Sequence, residues 1–308
     1  MTQVLISEVA PRDGLQSIAA TMPTSAKCRW IDTLAAAGLR EIEVASFVSP
    51  KLLPQMADAV EVVRHALTLR DLTVAVLVPN LRGAIAAMEA GAHKLTLPVS
   101  VSAAHLWSNI RKTPEQIEED VANIVALRNE RFPDVKIEAG LSTAFGCTIS
   151  GDVPEDDTIR VSVRMAELGV DEVGLSDSVG YANPAQVKRL FTRLREEVGN
   201  KAGGAHFHNT RGQGLANVVA ALDAGVTTFD SSQGGIGGCP YAPGATGNIV
   251  TEDLVFMLEA SGVKTGVDLE LLANARAVLA EALPNEALYG YVPAAGLPKG
   301  FHYAKEAA

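Results

Sequence analysis

The sequence predicts a single (β/α)8 TIM barrel with a C-terminal helical extension, and three observations carry that reading. Short apolar or β-branched runs alternate with longer stretches of helical period, as βα units do. Eight such runs occupy 308 residues, about 38 residues per unit, which meets the ~30 or more that a strand with its crossover helix requires. No Gly-x-Gly-x-x-Gly turn follows the first run, where Arg12-Asp13-Gly14 stands instead, and this argues against an open dinucleotide-binding sheet.

The strand candidates in order are Val4–Ala10, Ile42–Phe47, Thr73–Pro79, Lys94–Val101, Lys136–Thr143, Glu172–Ser178, Gly204–Thr210 and Thr227–Gln233. The first helix is expected over Ser25–Ala37, with Ile31, Leu34 and Ala35 on one stripe, Thr24 or Ser25 as N-cap and Gly38 as the stop. Ala-Gly or Leu-Gly recurs before later strands (Ala90-Gly91, Leu168-Gly169, Ala224-Gly225), which suits glycine just past a helix end. No Pro/Ser-rich linker divides the chain. One domain over residues 1–308 is expected, with the barrel at about residues 4–265 and an extension at about 267–308 whose final helix and tail begin near Glu281.

Composition narrows the function. With 26 basic against 36 acidic residues, a net charge of −10, the chain lacks the global basic field that holds nucleic acid or anionic lipid. Apolar runs fall short of the ~20 residues a membrane span needs. Three cysteines in a chain 47% hydrophobic make no disulfide framework and suit a reducing, cytoplasmic setting. The expected partner is a small molecule, with neither nucleic acid nor membrane, and a homodimer is the default assembly.

In such barrels strand interiors fill a packed core and chemistry sits at the C-terminal strand ends. There the sequence places Arg12 and Asp13 after strand one and Glu43 in strand two. Ser142 and Thr143 end strand five, Asp177 ends strand six, His206 and His208 lie on strand seven, and Ser231, Ser232 and Gln233 end strand eight. His206 and His208, two apart, present both imidazoles on one side of a strand, a spacing that suits one metal ion. Asp13 can add a carboxylate and Asn248 an amide oxygen, a donor set fitting Mg²⁺ or Mn²⁺ better than structural zinc. Glu43, between Ile42 and Val44, is a buried acid that needs a partner, and Arg12 or a metal-bound water is available. Cys239 stands in a loop from Gly234 to Asn248 with six glycines and two prolines, where a nearby cation favours thiolate and the loop can close over substrate. Cys28, beside Lys27 and Arg29, reads as inert, and Cys147 as either a second site thiol or structural.

These residues, read together, resemble a known family. Ala10-Pro11-Arg12-Asp13-Gly14-Leu15-Gln16, Ile42 to Lys51 with Pro54-Gln55-Met56, His206-Phe207-His208, and Gly237-Gly238-Cys239-Pro240-Tyr241-Ala242 through Gly247-Asn248 resemble the 3-hydroxy-3-methylglutaryl-CoA lyases. The likeness runs from about Ile6 to Leu269. It implies that Asp13, His206, His208 and Asn248 bind a divalent cation and that Arg12 stabilises an enolate. It further implies that Glu43 supports the metal site, that Cys239 is a catalytic thiol, and that the reaction is retro-Claisen cleavage of an acyl-CoA, as in leucine degradation. Gln16, Ser142, Asp177 and Arg211 are the candidate substrate-binding residues.

The chain departs from the family after the histidines, where Asn209 and Arg211 replace the usual Asp and Tyr, and after strand four, where Ser102-Ala103 lacks an acid. Citramalyl-CoA or a longer 3-hydroxy-3-alkylglutaryl-CoA is therefore an open alternative substrate, and Arg211 has two open orientations, into the mouth or out to solvent. A Claisen-condensing synthase shares the first motif and His-x-His, but it usually carries a regulatory domain and lacks the loop cysteine. A non-catalytic acyl-CoA or metal-binding barrel is expected to have lost one of Arg12, Glu43, the histidines or Cys239.

Overall fold

Each short run carries two kinds of residue at alternating positions, and barrel closure sorts them to opposite faces. In the computed structural model, which describes residues 3–237 and 247–305, the strands are β1 (Leu5–Glu8), β2 (Glu41–Ser46), β3 (Thr73–Leu77), β4 (Lys94–Ser100), β5 (Lys136–Ser142), β6 (Glu172–Asp177), β7 (Ala202–Phe207) and β8 (Thr228–Ser231). They close in sequence order, all parallel, with β8 returning to β1. The crossovers are α1 (Thr24–Ala36), α2 (Ala59–Ala66), α3 (Leu81–Ala90), α4 (Ala103–Ile110) with α5 (Pro114–Arg131), α6 (Glu155–Leu168), α7 (Pro184–Val198) and α8 (Gly214–Asp223). After β8 come α9 (Thr251–Ala260), α10 (Leu269–Ala282) and α11 (Tyr291–Ala295). Among the described residues no helix is long and apolar enough to cross a membrane.

The apolar half of each strand faces the helices. Ile137, Ala139 and Leu141 of β5 are buried, as are Val173 and Leu175 of β6 and Phe207 of β7. Phe207 packs edge-on against Phe191 of α7, with ring centroids 6.4 Å apart. The other half faces the barrel axis, and it is not the packed apolar interior the sequence suggested. Lys94 Nζ stands 2.8 Å from Glu138, 3.0 Å from Glu172 and 3.2 Å from Glu41, so one ammonium serves three carboxylates from β2, β5 and β6. Burial opposes the Lys94 charge, but the three carboxylates outweigh it and hold its pKa well above the usual lysine value. Burial pushes Glu138 up to about 7, against the pull of Lys94.

Details of the ends also differ from expectation. α1 begins at Thr24 behind Pro23 without a side-chain cap, because Thr24 Oγ1 donates instead to Asp58 at 2.8 Å. Its buried stripe is Lys27, Trp30, Ile31 and Leu34, while Ala35 is half-buried, and Gly38 ends it in a left-handed conformation, φ 103°. The extension holds two helices, α10 and α11, rather than one from Glu281, and α10 ends where that helix was expected to begin. Buried Gln233 ties it to the barrel, accepting from Trp30 Nε1 at 2.7 Å and donating to the Leu272 carbonyl at 2.8 Å.

The Lys94 cluster yields a test. Lys94→Met removes the one buried cation facing three carboxylates and is expected to cost ~3–5 kcal/mol, the usual penalty for orphaning buried charge. The remaining carboxylates will favour their protonated forms in the folded state, so the loss should be larger at pH 8 than at pH 5. Urea unfolding at both pH values measures it, and a pH-independent loss below ~1 kcal/mol would contradict the assignment.

Candidate active site

β1 does not run on to Ala10. Glu8 stops it, its Oε1 accepting from the backbone N–H groups of Ala10 and Gln233, both at 2.9 Å, and its Oε2 from Thr251 Oγ1 at 2.7 Å. The chain then makes a helical turn over Ala10–Gly14, with Pro11 in its first turn. Burial drives the Glu8 carboxyl up to about 8, against these donors. The turn delivers Arg12 and Asp13 to the C-terminal mouth. Arg12 Nε donates to Glu43 Oε2 at 2.5 Å and Nη1 to Asp13 Oδ1 at 2.5 Å. Asn248 Nδ2 donates to Asp13 Oδ2 at 2.7 Å, completing a chain Glu43–Arg12–Asp13–Asn248 across three elements. Burial raises Asp13, but Arg12, His206 and the Asn248 hydrogen bond outweigh it and hold the carboxyl at about 2.

His206 lies in β7 and His208 just past its end, their rings 5.2 Å apart. His208 pairs by backbone with Asn248, and Asn209 N donates to the Gly247 carbonyl at 2.7 Å, so the segment after the Gly-rich loop lies beside the histidines. Ligand atoms of Asp13, His206 and His208 all fall within 4.8 Å of one another. His206 Nδ1 meets Asp230 Oδ2 at 3.0 Å, which fixes the ring and leaves Nε2 for an ion, the arrangement that tunes metal-bound histidines. Asn248 Oδ1 and His208 Nδ1 are buried without a hydrogen-bond partner. An oxygen and an imidazole nitrogen left unpaired beside a carboxylate fit a divalent cation.

The triad opens into a cavity of about 240 Å³ running down the barrel axis, with Arg12, Gln16, His105, Glu138, Ser142 and Asp230 among its lining. Of the residues singled out from sequence, Arg12, Asp13, Gln16, Ser142, His206 and His208 line this one cavity, and Glu43 and Asn248 bond to its members.

Others do not belong to it. Asp177, expected to bind substrate, is buried and accepts from the backbone N–H groups of Tyr181 and Ala182 at 2.8 and 3.1 Å, so it holds the loop after β6. Arg211, expected to bind substrate, takes the outward of its two open orientations, exposed and off the cavity lining: its guanidinium stacks 4.6 Å from the Tyr181 ring and donates to the Val179 and Gly180 carbonyls at 2.9 and 3.0 Å. It ties the loop after β7 to the loop after β6. Ser231, Ser232 and Gln233 are buried in hydrogen bonds to Thr251, the Ile236 carbonyl and Trp30 respectively. Cys239 lies outside the described residues. Cys147 is buried, its sulfur accepting from the Ile149 and Ser150 N–H groups at 3.3 and 3.5 Å.

Asp230 and Glu138 were missed. Asp230 interrupts Thr228-Phe229-Asp230 as Glu43 interrupts β2, and the same rule applied to β8 finds it. Glu138 occupies an alternate position in β5, a signal hidden by the assumption of an apolar interior.

Comparison with known proteins agrees with this geometry. A family model described as HMGL-like matches residues 3–279. The hydroxymethylglutaryl-CoA lyase YngG of Bacillus subtilis is 42% identical over 274 residues, 89% of this chain and 91% of its own. A 3-hydroxy-3-isohexenylglutaryl-CoA/hydroxy-methylglutaryl-CoA lyase of Pseudomonas aeruginosa is 39% identical over 274 residues, covering 89% and 90%. The structure of an HMG-CoA lyase from Acinetobacter baumannii, in complex with coenzyme A and 3-methylmalate, superposes with a TM-score of 0.90 at 37% identity, covering 97% of each chain.

The two histidines should respond differently to acid. Burial lowers His206, but Asp230 and Asp13 outweigh it and raise its pKa above the usual imidazole value, whereas burial and the charge of His206 push His208 down to about 3. His206 is therefore the first triad member to protonate as pH falls, and Mn²⁺ affinity should decline through its raised pKa while Asp13 is still ionised. Asp230→Asn removes the carboxylate that favours the imidazolium and should move the midpoint to lower pH. Titration of Mn²⁺ binding from pH 5 to 8 checks this, and an unmoved midpoint would dissociate His206 from metal binding.

Proposed function

The chain belongs to the HMGL-like family, and from that premise we propose that it is a carbon–carbon lyase of 3-hydroxyacyl-CoA thioesters. It cleaves a 3-hydroxy-3-methylglutaryl-CoA-like substrate by retro-Claisen reaction to acetyl-CoA and a keto acid, acetoacetate for hydroxymethylglutaryl-CoA itself. The observation that carries the reading is the convergence of Arg12 with the Asp13, His206 and His208 triad on one cavity. On this reading Asp13, His206, His208 and Asn248 would hold a Mg²⁺ or Mn²⁺ ion, which when bound would lower the pKa of the substrate's 3-hydroxyl as a Lewis acid.

The residues divide the work as follows. A basic group of the triad takes the 3-hydroxyl proton. The oxygen's electron pair forms the ketone, and the C2–C3 bonding pair moves onto C2 and the thioester oxygen as an enolate. Arg12, fixed by Glu43, faces that growing charge. Cys239 then returns a proton to C2, a task suited to a thiol whose ordinary pKa of ~8.5 lies near working pH. Gln16 and Ser142, on the cavity wall, contact the acyl group. A cytoplasmic homodimer completes the reading, the compartment supported by the small number of cysteines and the dimer by being the commonest assembly of soluble enzymes.

The test is product identification by mass spectrometry after incubating the protein with hydroxymethylglutaryl-CoA, with and without chelator. Chelation should silence cleavage and Mg²⁺ or Mn²⁺ should restore it; full activity in excess chelator would defeat the metal assignment. Arg12→Gln should lower kcat by ~10²–10³-fold with Mn²⁺ affinity kept, and near-native turnover would remove Arg12 from the reaction. Cys239→Ser, which raises the donor's pKa, should lower kcat by ~10²-fold with little change in KM. Equal loss through KM alone would make the thiol a binding contact.

A further inference from the structure

The cavity wall across the barrel from the triad is formed by β4 and β5, and one of its positions is vacant without a packing reason. Three strand glycines face the cavity: Gly140 on β5, Gly174 on β6 and Gly204 on β7. A methyl group on Gly174 would meet Glu138 Oε1 at 2.5 Å, and one on Gly204 would press the Thr228 side chain and carbonyl at 3.2 Å. Close neighbours account for both glycines. At Gly140 the nearest atom to such a methyl is Thr96 Cγ2 at 3.5 Å, an ordinary contact, and the backbone there has no positive φ. Barrel interior positions are normally filled by bulky side chains, so this one is open although a side chain would fit.

The neighbours extend the opening. Gly140 pairs in register with Pro98 of β4, and Leu77, Thr96 and Pro98 line the same cavity. A leucine, a threonine methyl and a proline ring give the recess a largely apolar side, while Glu138, held by Lys94 at 2.8 Å, lies at its inner end. With the substrate's hydroxyl on the triad, a group on the third carbon that points across the barrel enters this recess.

We propose that the recess at Gly140 sets acyl specificity by admitting a branch longer than methyl on the third carbon of the substrate, so that the substrate class is the 3-hydroxy-3-alkylglutaryl thioesters. The proposal rests on the lyase reading above and narrows it. Each methylene seated in such a recess is worth roughly 10-fold or more in kcat/KM. Filling the recess from either strand should abolish the preference.

The experiment compares kcat/KM for 3-methyl and 3-butyl versions of 3-hydroxyglutaryl-CoA in the Mg²⁺-loaded wild type, Gly140→Val and Thr96→Ile, with thermal melting to confirm folding. The wild type is expected to cleave the butyl substrate at least as well as the methyl one. Gly140→Val should lower the butyl-to-methyl ratio by at least 10-fold, and Thr96→Ile, which grows into the recess from β4, should lower it in the same direction should the glycine variant fail to fold. A wild type that prefers methyl by 10-fold, or a ratio unmoved in a folded variant, would overturn the recess while leaving the lyase reading intact. No cleavage of either substrate by metal-loaded wild type would bring down both.

Discussion

The mouth of this barrel depends on the Asp13 carboxylate, gripped on one oxygen by Arg12 and on the other by Asn248. Arg12 is in turn clamped by Glu43 on β2, so a single chain of charge-assisted hydrogen bonds joins the turn after β1, the second strand and the segment that follows the Gly-rich loop. Such bonds are short and about twice as strong as neutral ones, and in a partly buried site they set geometry as well as energy. Asp13 remains ionised because Arg12, His206 and the Asn248 hydrogen bond outweigh its burial, and the two histidines gather around it. Loosen that carboxylate and both the proposed cation site and the guanidinium in front of it lose their reference point.

Charge also fills the barrel below the mouth. A core of leucine and valine would have been simpler to stabilise, since burying ions rarely gains energy over apolar packing. Here Lys94 and its three glutamates occupy the axis, and the apolar residues are turned outward under the helices. A polar axis with small residues above it leaves a hollow reaching from the mouth into the barrel, whereas interdigitated branched side chains would have closed it. The same choice that makes the interior costly leaves the space in which the proposed substrate's acyl group would sit.

How much of this the sequence disclosed follows from which contacts are local. The strands and the Arg12-Asp13 and His206-x-His208 pairs were legible because period-2 alternation and i, i+2 spacing are properties of neighbouring residues. Glu43 was legible as an acid stranded among apolar neighbours. Asp177, Arg211 and Gln233 misled because polarity at a strand end has two uses, substrate contact and loop anchoring. Only the positions of Tyr181, Gly180 and Trp30, remote in sequence from Arg211 and Gln233, show that anchoring absorbs them. The Lys94 cluster was invisible for a related reason, since its members come from four strands, with Lys94, Glu41 and Glu172 each looking like an ordinary strand-end charge and Glu138 lying inside β5.

The central claim, that the triad and Arg12 direct cleavage between the second and third carbons with return of one proton to the second, is tested most directly in deuterated water. Hydroxymethylglutaryl-CoA is incubated with the Mg²⁺-loaded protein in D₂O, and the acetyl-CoA formed is analysed by mass spectrometry. The account predicts acetyl-CoA carrying a single deuterium in its methyl group, with acetoacetate in equal amount. Free coenzyme A without acetyl-CoA, or acetyl-CoA devoid of deuterium, would contradict it.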